Sequence, residues 1–160
     1  MTNEELLAAT AVNLWKLSLS RIDKLFLNAS PKELEQEIAP GKNRLIYLWG
    51  HLTAVNDAML PLLSLGPRLH PELDAAFVTA PDKTAVDPPS HDDVRRAWNE
   101  VNAKLAEGFA KMSPADWLKR HNAVSDEDFA KEPLRNRLAI LLSRASHLAY
   151  HYGQAALISK

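Results

Sequence analysis

The chain has 160 residues, 46% of them hydrophobic, enough for one domain to bury roughly two-thirds of its unfolded surface around a single core. Nineteen basic and twenty acidic side chains leave a net charge of −1 and no basic block, which argues against a nucleic-acid partner. The absence of cysteine excludes disulfides, thiolate ligands and a thiol nucleophile, so any metal must sit on histidine or carboxylate.

Leu7, Ala11, Leu14 and Leu25 fall at helical intervals, as do Leu6 and Leu17, and predict an amphipathic first helix over residues 4–27. Ser30, Pro31 and Glu33 form a capping box with proline at the first helical position, which predicts a short helix to Ile38. Pro40 and Gly41 stop it. Asn43 is placed to cap the second helix, whose stripe is Leu45, Leu48, Leu52, Val55 and Met59; it should end near Leu63 with a kink at Pro61.

Residues 64–89 carry five of the ten prolines, so no long helix runs through them, and only Pro71 to Phe77 has room for one or two helical turns. Ser90 and Asp93 open the third helix, with Val94, Trp98, Val101, Leu105, Phe109 and Met112 at near-heptad spacing. Ser113 and Pro114 start a short helix through Leu118, and a polar loop follows to Glu132. The fourth helix runs from Pro133 almost to the C-terminus on Leu134, Leu138, Leu141, Ala145, Leu148, Tyr152 and Ala155. Four long helices with apolar faces predict one all-α domain over residues 1–160, a four-helix bundle with a long connection between helices two and three. No stretch reaches the roughly 20 apolar residues of a membrane span, and the first residues lack the basic start of a signal peptide; a cytoplasmic protein without a membrane partner is expected.

His147 and His151 stand four apart on helix four, which stacks both imidazoles on one face, within reach of a single ion. Two such residues also occur together without a metal. His51 lies beside Leu48, Leu52 and Val55 on the apolar stripe of helix two, where an imidazole needs a partner, either a carbonyl or hydroxyl or a metal. At 1.5 Å rise per residue it is about 12 Å from the start of its helix, and His147 and His151 are about 12–18 Å from the end of theirs. Antiparallel packing of the two helices would bring the three rings to one level. His70, His91 and His121, in loops or at a helix start, are expected to be exposed.

Pro40-Gly41-Lys42-Asn43 leading into Trp49-Gly50-His51-Leu52, and His147 through Gln154 on the last helix, resemble the DinB-like (DinB/YfiT-like) family of metalloenzymes. The resemblance extends to helix order, the short extra helices and the long connection. It implies a variant bundle with helices two and three roughly parallel, one divalent ion, commonly zinc or nickel, held by His51, His147 and His151, and a homodimer. It also implies a small-molecule substrate.

Three neutral imidazoles leave a coordination position open, the arrangement of a catalytic site. Two chemistries fit: hydrolysis, and transfer to or from a low-molecular-weight thiol, which the resemblance favours. The other reading is a non-catalytic, stress-related dimer whose metal is structural or idle. Arg144 projects on the same face as His147 and His151, to hold an anionic substrate group or to make a surface ion pair. Gln154 is placed to orient a ligand imidazole or to lie exposed as an ordinary amide. Tyr47, one turn before His51, is a proton donor to substrate or core filling. Asp57 is about two-thirds of a turn round from His51 and makes a poor fourth ligand, which leaves no evident general base.

Overall fold

A computed structural model describes residues 1–158, and its long helices are α1 (Asn3–Phe26), α3 (Leu45–Asp57), α5 (His91–Lys111) and α8 (Arg137–Ala155). Shorter helices are α2 (Pro31–Leu34), α4 (Met59–Leu62), α6 (Pro114–Trp117) and α7 (Asp126–Lys131), with a π-helical turn at Ala75–Thr79. The fold is all-α, and among the described residues there is no strand, only two isolated bridges. No described helix is long and apolar enough to cross a membrane.

The helix starts follow local capping chemistry. Thr2 with Glu5, Ser30 with Glu33, Ser90 with Asp93 and Ser113 with Asp116 are complete capping boxes at α1, α2, α5 and α6. Ser125 accepts from Asp128 N–H and opens α7 inside the segment expected to be a polar loop; the Ser-x-x-Asp spacing that starts α5 recurs there. The last helix begins later than expected, because Asn136, not Pro133, is its cap and accepts from Ala139 N–H. Leu134 therefore lies outside the helix and is exposed.

The second helix departs further from expectation. Asn43 is not its cap: the boundary residue is Arg44, with no cap of its own, and its N–H donates to Asp82 Oδ2 at 2.7 Å. The Leu45 N–H donates to the Gln36 carbonyl at 2.9 Å, so distant groups, not a local side-chain cap, fix this helix start. The break falls at Ala58, three residues before Pro61, because proline lacks the N–H that would bond to the Asp57 carbonyl and its ring crowds that carbonyl. Residues 35–44 form no helix; after α2 the Ile38 N–H donates to the Asn43 carbonyl, and Gly41 turns the chain at φ +73°.

The core lies where α1 packs on α8 and where α3 packs on α5 and the π-turn. The buried face of α1 is Ala11, Trp15, Ser18, Ile22 and Phe26, not the expected leucine stripe. Leu6, Leu7, Leu14 and Leu17 are 56%, 70%, 48% and 53% exposed, on a neighbouring face of the same helix. The aromatic residues explain the choice: Trp15 meets Phe109 edge-on at 5.0 Å and Phe26 stacks on Trp49 at 5.3 Å, burying more surface per residue than leucine would. All four tryptophans are buried. Trp98 Nε1–H donates to Asp23 Oδ1 at 2.7 Å and ties α5 to α1.

Candidate metal centre

The residues that build the centre come from α3 and α8, which pack on one another. His51 follows the buried Leu48, Trp49 and Gly50 on a helix that is nearly all buried, and is itself half-buried at the edge of that face. On α8, Leu141, Ala145 and Leu148 are buried and draw the helix onto the core; His147 and His151, on the adjoining face, are half-buried. The three rings meet with centroids 5.1 Å (His51 and His147), 5.3 Å (His51 and His151) and 4.6 Å (His147 and His151) apart. Their Nε2 atoms converge: His147 Nε2 is 3.3 Å from that of His51 and 2.9 Å from that of His151. One nitrogen from each ring lies within 4.8 Å of the others, a set that can hold a metal ion.

The hydrogen bonds on the far side of the rings decide which nitrogen is free. His51 Nδ1 is 2.9 Å from the Phe77 carbonyl oxygen. A carbonyl only accepts, so Nδ1 carries the proton and a neutral His51 presents a lone pair at Nε2. His151 Nδ1 is 2.7 Å from Gln154 Oε1, and the amide nitrogen of Gln154 donates to the Tyr150 hydroxyl at 3.2 Å, so the same logic gives His151 an Nε2 lone pair. Two lone pairs and a third ring nitrogen point at one spot. A single N–H on His147 could satisfy one of them and not the other. A cation satisfies all three, and ligands about 2.0–2.1 Å from a tetrahedral zinc stand roughly 3.3–3.4 Å from each other, near the observed spacing. The donor set therefore fits a divalent ion.

The electrostatics favour neutral ligands. Burial first, then the rings of His151 and His51 and the Arg144 guanidinium, push His147 down to about 4. Burial also lowers His151, against the bond to Gln154 that raises it. Lowered in this way, His147 and His151 need lose no proton at pH 7 to bind a metal.

Tyr47 stacks on His51 with ring planes 6° apart and centroids 6.5 Å apart, and its hydroxyl donates to the Ala80 carbonyl at 2.9 Å. Its hydroxyl proton is thus directed at the backbone. Arg144 lies close enough to His147 to lower its pKa, and its own pKa is lowered by burial. Its Nε is buried without a hydrogen-bond partner, and among the described residues no carboxylate pairs with it, so of the two alternatives the surface ion pair is not formed.

Asp57 is not part of the ligand set, as its place on the helix implied, but it is not idle. It is fully buried and accepts from Leu69 N–H at 2.8 Å, His70 N–H at 3.0 Å and Arg68 Nε–H at 3.0 Å. His70, His91 and His121 are half-buried, contrary to the expected exposure. His70 bridges Glu72 at 3.0 Å and Glu100 at 2.8 Å, and His91 contacts Glu35 at 2.6 Å. The Phe77 carbonyl is the group that sequence reasoning missed. A backbone acceptor leaves no residue-type signature, and the one trace was a glycine inside a buried helix next to the candidate ligand.

Compared with known proteins, residues 14–155 match the family model described as the DinB superfamily. No curated protein matches the chain.

Proposed function

The chain belongs to the DinB superfamily, and from that premise we propose that it is a metal-dependent enzyme whose one divalent ion, zinc or nickel, is held by His51, His147 and His151. The observation that carries this reading is the convergence of three Nε2 atoms, two of them bare because their Nδ1 protons are committed to Phe77 and Gln154. What such an ion supplies is Lewis acidity, enough to lower the pKa of a water or of a low-molecular-weight thiol toward neutrality. That supports two reactions on a small molecule, hydrolysis and thiol-dependent group transfer. The rest is the work of side chains. Gln154 and the Phe77 carbonyl keep the ligand rings oriented, and Arg144, half-buried and without a carboxylate partner among the described residues, supplies a fixed positive charge for an anionic group on the substrate.

The test is metal content and turnover together. Purified wild-type protein is expected to carry about one zinc or nickel per chain and His151→Ala almost none. A folded wild type that takes up neither metal removes the reading. With metal bound, a panel of thiols and electrophiles separates transfer from hydrolysis, and no turnover on any substrate favours a dimeric bundle with an idle metal. Arg144→Gln is expected to raise KM for anionic substrates more than for neutral ones.

A homodimer belongs to the same proposal. The exposed residues of α8 are Ala139, Leu142, Ser143, Ser146, Ala149, Tyr150 and Gly153, none of them charged, and α1 beside it leaves Leu6, Leu7, Leu14 and Leu17 in solvent. Small uncharged residues along a helix let a second copy approach closely, and the leucines supply the apolar area. Sedimentation of wild type as a dimer and of Leu14→Glu/Ala149→Glu as a monomer is the expected outcome.

A further inference from the structure

The crossing segment meets the centre through the π-turn Ala75–Thr79. A helix leaves its last carbonyls without partners of its own. Here the Ala80 N–H closes on the Ala75 carbonyl, while the carbonyls of Phe77 and Ala80 are taken by His51 and Tyr47 of α3, each at 2.9 Å. Tyr47 and His51 lie one turn apart with nearly parallel rings, so a single face of α3 caps the C-terminal end of the turn. The far end is anchored separately. Asp74, the residue before the turn, pairs with Arg68 at 2.5 Å, and Arg68 pairs with the buried Asp57 at 3.0 Å.

Such close approach needs a gap on α3, and Gly50 provides it. A Cβ at Gly50 would lie 2.4 Å from Cγ and from Cδ1 of Phe77, well inside van der Waals contact. Phe77 is only 4% exposed, so its ring has little freedom to swing away. In a helix interior glycine is less stable than alanine by roughly 0.5–1 kcal/mol, so α3 bears a cost here that alanine would remove. Space for the Phe77 ring accounts for it.

We propose that Gly50 and the π-turn together form a positioning device for His51: the gap at Gly50 seats the Phe77 ring on α3, and the Phe77 carbonyl so placed fixes the orientation and tautomer of the imidazole. Gly50 touches no ligand atom and acts through its neighbour. The consequence for metal affinity rests on the metal-centre reading above; the consequence for the tautomer does not.

The experiment follows both on full-length protein. The tautomer of His51 is read by ¹⁵N NMR without metal, and zinc affinity by competition with a chelator, in wild type, Gly50→Ala and Gly50→Ala/Phe77→Ala. Wild type is expected to hold His51 in the Nδ1–H form. Gly50→Ala should shift it toward the Nε2–H form and bind zinc 10- to 100-fold more weakly, the range typical of lost orienting partners. The double variant, with room restored, should recover both to within about threefold. An Nε2–H or averaged His51 in wild type overturns the proposal, even if Gly50→Ala does not fold. So does a folded Gly50→Ala with unchanged tautomer and unchanged affinity. If wild type binds no zinc while the Nδ1–H form is held and Gly50→Ala releases it, the metal reading fails and the positioning device stands.

Discussion

Two polar clusters hang from α3, and they are finished differently. Around Asp57 the groups are matched from within: two backbone N–H groups and the Arg68 guanidinium donate to it, and Asp74 takes the other side of Arg68. Around His51 the matching stops at the outer edge of the rings, and the inner nitrogens crowd together at 2.9 and 3.3 Å with too few protons among them. Buried polar groups are nearly always hydrogen-bonded, so a cluster that closes on itself is a joint in the fold, whereas one whose lone pairs converge unmet is built for something added. The Asp57 cluster holds the crossing segment in place, and the histidine cluster uses that placement.

The comparison can be broken from either side. The largest effect is expected at the joint: Asp57→Ala leaves two N–H groups without their acceptor and Arg68 with Asp74 as its one carboxylate, and should lower unfolding free energy by about 2–4 kcal/mol in equilibrium denaturation. A loss under about 1 kcal/mol would mean that the cluster is not the anchor described here. Next is the open site. Zinc at a hundredfold excess over its dissociation constant should raise wild-type stability by about 2.7 kcal/mol, and His147→Ala by almost nothing. Equal shifts in both proteins would place the zinc elsewhere. Gln154→Leu removes the acceptor for His151 Nδ1–H and should weaken zinc binding 10- to 100-fold with the fold intact, as chelator competition and circular dichroism would show.

The smallest effect sharpens the contrast through pH. Burial disfavours charge on His70, but its bonds to Glu72 and Glu100 outweigh burial and hold its pKa above the ordinary value, the opposite of His147. A raised folded-state pKa adds stability that is fully present below about pH 6.5 and lost as pH rises through the raised value. His70→Gln should therefore cost under about 1 kcal/mol below pH 6.5 and progressively less above it. A cost that grows with pH would reverse the assignment.

Much of this was legible in the chain itself. Ser30 with Glu33, Ser90 with Asp93 and Ser113 with Pro114 mark helix starts within three residues, a distance over which side chain and backbone meet. The pair His147 and His151 needs only one helical turn, and so does the bond from His151 to Gln154. The start of α3 was not legible, because its acceptor, Asp82, comes from 38 residues away. Nor was the buried face of α1, where leucines on one side and Trp15, Ile22 and Phe26 on the other offered two apolar stripes. Only the packing of α8 and α5 against α1 chose between them.

The sequence by itself determined the all-α class, most helix limits and the residue types able to hold a divalent ion, since these depend on periodicity and on contacts within a turn or two. Tertiary structure alone decided that the third imidazole meets the other two, that a π-turn carbonyl holds its proton, and that Gly50 makes room for that turn. Those outcomes turn on the approach of segments far apart in the chain, and no local pattern encodes the distance at which two packed surfaces come to rest.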